Sequence, residues 1–211
     1  FRIELSDGVV QRFTEFSGMK PFVFLLLLMS CKQTFTPPMR TLTSVSQHTL
    51  VLSDGSSVDI PHPEDTTYTT FFFVRHAERN MDGGKDPELT VEGRARAERL
   101  GRIMENCPVD SVFSTPYQRT RQTAEPVQRR CHSPLAITYL PENQTELLDK
   151  LIPSSGGKRI FIVGHQNTVP MALNYLKGDF SYRNIADYDF GKFYVVVTDK
   201  VGHSEIMEFD Y

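Results

Sequence analysis

The chain holds 211 residues, 39% hydrophobic and 23% charged, with 23 Lys and Arg against 26 Asp and Glu and a formal charge of −3. This composition excludes wholesale disorder and a global basic field for nucleic acid, and the length allows about one domain with extensions. Three cysteines, Cys31, Cys107 and Cys131, are too few and too irregularly spaced for a disulfide framework or a four-ligand zinc site.

The first feature in chain order is an address. Met19-Lys20-Pro21 leads into Phe22-Val23-Phe24-Leu25-Leu26-Leu27-Leu28-Met29, then Ser30-Cys31. The apolar run is well short of the ~20 residues that a membrane-spanning helix needs and reads as the h-region of an export signal. Leu28-Met29-Ser30-Cys31 resembles the bacterial lipobox. That resemblance implies cleavage before Cys31, acylation of its thiol and a lipid-anchored protein of the cell envelope, facing the periplasm or on the outer membrane. Residues 1–18, ahead of Met19, read as upstream sequence. Residues 31–67 read as a Ser/Thr/Pro-rich tether with one weak hairpin around Ser53-Asp54-Gly55-Ser56, and the folded domain as 68–211.

From residue 68 short β-rich runs alternate with amphipathic stretches. Phe71–Val74 is apolar on both faces, as a central strand of a covered parallel sheet is. Leu89–Glu105 has helical spacing, Val109–Phe113 reads as a strand, and Thr115-Pro116-Tyr117-Gln118 reads as a Thr-capped helix start with Pro126 ending or kinking that helix. Leu135–Leu140 is a strand, Gln144–Ile152 a helix, Lys158–Val163 a buried strand and Val169–Leu176 a helix. Phe193–Asp199 and Ser204–Phe209 form an antiparallel hairpin. The order predicts a three-layer α/β/α sandwich with a mostly parallel central sheet.

Ligands of such sheets bind beyond the carboxyl ends of the strands. Arg75-His76-Ala77-Glu78 follows the first strand, Ser114-Thr115-Pro116-Tyr117-Gln118-Arg119 the second, and Gly164-His165 the Lys158–Val163 strand. Two histidines and two arginines thus reach one edge. Neutral histidine is a nucleophile and arginine a bidentate phosphate donor, so the set points to a phosphoryl group. Arg119 in the first turn of its helix adds the favourable macrodipole. His76-Ala77-Glu78 lacks the Pro-Cys-x-x-Cys of a zinc deaminase, Gly156-Gly157-Lys158-Arg159 precedes its strand as no P-loop does, and no Gly-x-Ser-x-Gly elbow occurs. His48, His62, His132 and His203 read as surface residues without partners, and Cys107 and Cys131 as packing residues.

Four segments in order, Val74-Arg75-His76-Ala77-Glu78, Leu89-Thr90-Val91-Glu92-Gly93-Arg94-Ala95-Arg96-Ala97, Ser114 through Ala124, and Val163-Gly164-His165, resemble the histidine phosphatase superfamily, which also contains the cofactor-dependent phosphoglycerate mutases. The resemblance implies a phosphoglycerate mutase-like fold, with His76 as the nucleophile that forms a phosphohistidine and Arg75, Arg119 and His165 around the phosphate. It implies no metal and no other cofactor, since arginines supply the charge stabilisation. Ala77 stands where the family commonly has Gly, Thr115-Pro116 where it has Ser-Pro, and Asp82 where mutase-like members carry Asn. Only 46 positions separate Arg119 from His165, too few for the mutases' capping insertion. A small, open-pocket phosphatase acting on a phosphorylated small molecule or accessible phosphoprotein fits better than a mutase-like phosphotransferase or a non-catalytic phosphate-binding module. Glu142 is the candidate general acid, with Glu146 and Glu78 as alternatives.

Overall fold

The computed structural model describes residues 40–133 and 135–211. Residues 1–39, which hold the expected signal and Cys31, lie outside the described residues. Nine strands and four α-helices are described: β1 (Leu42–Val45), β2 (Thr49–Leu52), β3 (Ser57–Asp59), β4 (Thr69–Arg75), α1 (Val91–Met104), β5 (Ser111–Ser114), α2 (Gln118–Arg130), β6 (Leu135–Thr138), α3 (Gln144–Ser154), β7 (Arg159–Gly164), α4 (Thr168–Lys177), β8 (Lys192–Lys200) and β9 (His203–Asp210).

The main sheet has the order β6-β5-β7-β4-β8-β9. Its first four strands are mutually parallel, and β8 and β9 join as an antiparallel pair on the β4 side. Side-chain alternation sorts the core to two faces. Phe72, Val74, Phe161 and Val163 pack with Leu100, Ile103 and Met104 of α1 and Val127 of α2. Phe71, Phe73, Ile160 and Ile162 pack with Leu148 of α3 and with Val169, Leu173 and Leu176 of α4. Three layers result, a mixed α/β fold with a mainly parallel sheet, and β4 is buried along its whole length at the centre.

Two local expectations are corrected. α2 begins at Gln118, not at a Thr115 cap: Tyr117 occupies the cap position without a side-chain bond, and Asp86 Oδ1 accepts from the Gln118 N–H at 2.9 Å instead. Pro126 does not end α2, which continues to Arg130. Pro126 lies against Gly101 of α1, where a Cβ would meet its ring and carbonyl at 2.9 Å. This close helix–helix packing holds a proline that the isolated sequence would use as a stop.

The larger correction concerns residues 40–67. The expected turn is there, with Gly55 at φ +82° and β2 paired antiparallel to β3. The segment is nevertheless no tether. β1, β2 and β3 form a second sheet whose Leu42, Val45, Leu50 and Leu52, with Ile60 just beyond β3, join the core under α1. Thr41 bridges Asp210 at the end of β9, and the Arg159 guanidinium donates to the carbonyls of Gln47 and Pro63. His48, His62 and His203 are exposed but not unpaired: they meet Glu64, Glu205 and Asp199.

Candidate active site

β5, β7 and β4 are adjacent and parallel, so their carboxyl ends deliver Thr115, His165 and Arg75-His76 to one place. The β4–β7 ladder runs on past the strand, with His76 N–H donating to Gly164 O at 3.0 Å. The loop after His76 is tied to α2 by Thr123, whose hydroxyl accepts from Ala77 N–H and donates to Arg119 O. On its other side α1 comes so close that a Cβ on Gly93 would lie 2.1 Å from Glu78 O. Glycine is therefore required there. Ala77 is fully buried against Leu89 and Ala97, so the methyl that departs from the family pattern has its own packing niche.

His76 is 4% exposed. Its Nδ1 lies 2.8 Å from Ala77 O. A carbonyl only accepts, so Nδ1 carries the proton, and in the neutral ring Nε2 keeps its lone pair. Burial, reinforced by the charges of His165, Arg119 and Arg75, pushes the His76 pKa down from 6.5 to about 3 against the opposing pull of the Ala77 carbonyl. The ring is neutral at physiological pH. His165, its ring centroid 5.5 Å away, is lowered to about 4 by burial and by the same two arginines.

The tautomer of His165 is also fixed. Its Nε2 meets Thr115 Oγ1 at 2.9 Å, Thr115 Oγ1 meets Thr120 Oγ1 at 2.8 Å, and the Thr120 hydroxyl reaches the carbonyls of Thr115 and Tyr117. The chain terminates on carbonyls, so each hydroxyl donates toward them and His165 donates from Nε2. Its Nδ1 is left for the cavity. Nothing in the residue pattern flags this hydroxyl chain, because Thr115 reads locally as a helix cap.

Arg75 is 4% exposed and held by backbone. Its Nη1 donates to the carbonyls of Ala186, Asp187 and Asp189, its Nη2 donates to Gln166 Oε1, and Phe190 stacks on the guanidinium at 4.2 Å. Burial lowers its pKa, with Asp187 and Asp189 opposing; a guanidinium remains charged throughout. Arg119 has a looser setting, stacked on Tyr117 at 4.3 Å and 3.9 Å from Asp86.

His76, Arg119 and His165 line one cavity of about 430 Å³ together with Arg79, Lys85, Tyr117, Gln166 and Asn167, and Arg75 lies beside it through Gln166. Sequence reasoning missed Arg79, Lys85, Gln166 and Asn167, which carry no motif of their own, and read Tyr117 only as part of a helix start. The cavity does not gather the three candidate acids. Glu142 lies exposed in a 3-10 turn whose Pro141 reaches the lining and whose carboxylate does not. Glu146 is exposed and paired with Lys150. Glu78 is gripped by Arg96 through three N–H contacts of 2.7–2.9 Å. Burial works to raise the Glu78 pKa, but the Arg96 bonds outweigh it and the carboxyl stays below its ordinary value. Burial pushes the thiols of Cys107 and Cys131 up to about 12 and about 11, which makes them packing residues without nucleophilic character at neutral pH.

A sequence model of the histidine phosphatase superfamily, branch 1, matches residues 71–142, from β4 through the 3-10 turn. A protein of Schizosaccharomyces pombe described as a probable phosphatase is 36% identical over 76 residues, covering 33% of this chain and 27% of that protein. The chain thus matches only about a quarter of the length of this relative. Among solved structures, the protein histidine phosphatase SixA complexed with tungstate is similar with a TM-score of 0.57 and 16% identity, over 67% of this chain and 96% of that one. A SixA-type protein from Nakamurella multipartitia, described as a phosphohistidine phosphatase, gives 0.52 and 22% over 66% and 94%. At these identities the two structures speak for the fold. The matched segment holds His76, Arg119 and the loops between them, and over residues 71–142 the chain is similar to the histidine phosphatase superfamily, branch 1.

Proposed function

We propose that this protein is a phosphatase working through a phosphohistidine on His76, with charge stabilisation from arginines in place of a metal. The observation that carries the reading is the bond between His76 Nδ1 and Ala77 O, which leaves a buried, neutral ring with its Nε2 lone pair beside Arg119 and His165. Nε2 attacks phosphorus, Arg119 and Arg75 neutralise the charge gathering on the phosphoryl oxygens, and His165 donates to one of them from Nδ1 once the bound dianion draws a proton onto that nitrogen. Water then cleaves the nitrogen–phosphorus bond.

Among the described residues lining the cavity there is no carboxylate. A leaving group of high pKa needs a proton in the transition state, so this site favours groups that depart without one. Phosphoramidates and aryl phosphates therefore fit better than alkyl phosphates, and Glu142 is left as an acid that would have to swing inward. The short span from Arg119 to His165 supports a phosphatase over a mutase-like phosphotransferase.

The test is hydrolysis of phenyl phosphate by the purified protein with a chelator present, beside the His76→Ala variant. Chelator-resistant turnover lost in the variant is the expected result. Phosphate binding without turnover would leave a non-catalytic binding module, and chelator-sensitive turnover would mean different chemistry. From residues 19–31 we also propose export and acylation at Cys31. A full-length precursor that shows neither mass loss nor detergent partitioning would end that proposal.

A further inference from the structure

The loop between β4 and α1 sorts its charges. Its paired acids do not line the cavity: Glu78 meets Arg96, Glu88 meets Arg94 at 2.6 Å, and Asp86 accepts from the Gln118 N–H and lies 3.9 Å from Arg119 at the cavity's edge. Asp82 is exposed and does not line the cavity. Its two bases, Arg79 and Lys85, both line it, and among the described residues neither side chain has an ion pair or hydrogen bond. Arg79 is partly buried, and its charge acts unfavourably on both Arg75 and Arg119.

A phosphoryl group held at the strand ends by His76, Arg119, Arg75 and His165 does not require these cations, which lie further along the β4–α1 loop. Like charges left facing one space are stabilised when a ligand brings the opposite charge. A cavity of about 430 Å³ falls in the range of whole small-molecule sites, roughly 300–1,000 Å³.

We infer that Arg79 and Lys85 form a second oxyanion subsite, and that the substrate is a phosphoric anhydride, the terminal diphosphate of a small molecule. The inference rests on the phosphatase reading of His76 and sharpens it. In an anhydride the leaving group is itself a phosphate. As the Nε2–P bond forms, the bridging P–O bond breaks and its electron pair stays on the departing oxygen. With a phosphate pKa of ~6, that oxygen leaves without a general acid, which suits a cavity lining without carboxylates. Arg79 and Lys85 neutralise it. Water then cleaves the N–P bond, releasing orthophosphate and a proton and restoring the Nε2 lone pair.

The experiment measures binding of methylphosphonate and methylenediphosphonate, two non-hydrolysable probes that differ by the second anion, to the full protein. It is paired with turnover of pyrophosphate and phenyl phosphate. The wild type is expected to bind the diphosphonate at least about tenfold tighter, and Arg79→Gln/Lys85→Gln to bring the two within about threefold. Arg102→Gln/Lys200→Gln, an equal charge change at exposed positions outside the cavity, is expected to keep the wild-type ratio. The pyrophosphate preference over phenyl phosphate should fall in parallel with the binding ratio. A wild-type ratio near one, or a ratio that survives Arg79→Gln/Lys85→Gln, overturns the subsite while leaving the phosphatase intact. Failure to bind either phosphonate, with no phenyl phosphate turnover, overturns the phosphatase reading and this inference with it.

Discussion

The small sheet and the cavity are both rich in polar side chains, and they use them in opposite ways. In the small sheet Thr43 donates to Val51 O, Ser46 bonds Thr49, and Asp54 accepts from both the backbone and the hydroxyl of Ser56. These groups close on one another and leave Leu42, Leu50 and Leu52 to fill the core. At the strand ends the polar groups are oriented but not used up: two histidines each spend one nitrogen on the protein and keep the other for the cavity. Internal satisfaction marks the residues that build the fold, and incomplete satisfaction in a shared space marks those that meet a ligand.

The strongest break in this contrast is His76→Ala, expected to lower phenyl phosphate turnover by ~10³-fold or more in a protein that still unfolds in a cooperative thermal transition. On the other side, Leu50→Ala removes a fully buried side chain of β2 and should cost about 2–5 kcal/mol of stability in denaturant unfolding. A change under about 0.5 kcal/mol would mean that the segment is surface and not core. A smaller effect comes from Thr115→Val, which leaves the His165 Nε2–H without its acceptor. A kcat loss of about tenfold, a changed pH profile and recovery in Thr115→Ser would identify Thr115 as a positioning residue. Equal activity of the Val and Ser variants would remove it from the mechanism.

The subtlest test is pH. The folded pKa values of His76 and His165, about 3 and about 4, lie below the ordinary 6.5. Between those limits the unfolded chain binds more protons, so stability rises with pH there. The contribution is complete above 6.5 and is lost as the pH falls through the window. Unfolding at pH 7.5, 5.5 and 4.5 should show this decline, and His76→Asn/His165→Asn should flatten it. Parallel curves for the two proteins would refute the burial of neutral rings.

The barrel-less, layered plan of the domain was legible because β4 and β7 are continuous apolar runs and the helices between them have clear periodicity. The site was partly legible for a related reason: Arg75 ends β4, His76 and His165 follow β4 and β7 directly, and Arg119 opens the helix after β5, where an open sheet places its ligands. The β2–β3 hairpin was legible, but β1 and the docking of the small sheet on the core escaped, because strands of three and four residues rich in Ser and Thr look like linker composition. Pro126 and Thr115 escaped because their settings depend on residues far away in sequence, Gly101 in one case and His165 in the other. Glu142 was placed by its position after a strand, and position alone does not say where a side chain points.

The grip of Arg75 on residues 186–189 has a consequence for how the molecule breathes. Three carbonyls of an irregular segment converge on one buried guanidinium, and the segment's own N–H groups at Ile185 and Asp189 are bonded to Gln166 O and Ala186 O. Opening this stretch would strand a charge in the interior, so it belongs to the same cooperative unit as the central strand. Resistance of the 185–190 peptide bonds to proteolytic nicking then reports on the integrity of the cavity at the strand ends, and a molecule clipped there is one whose Arg75 has already lost its seat.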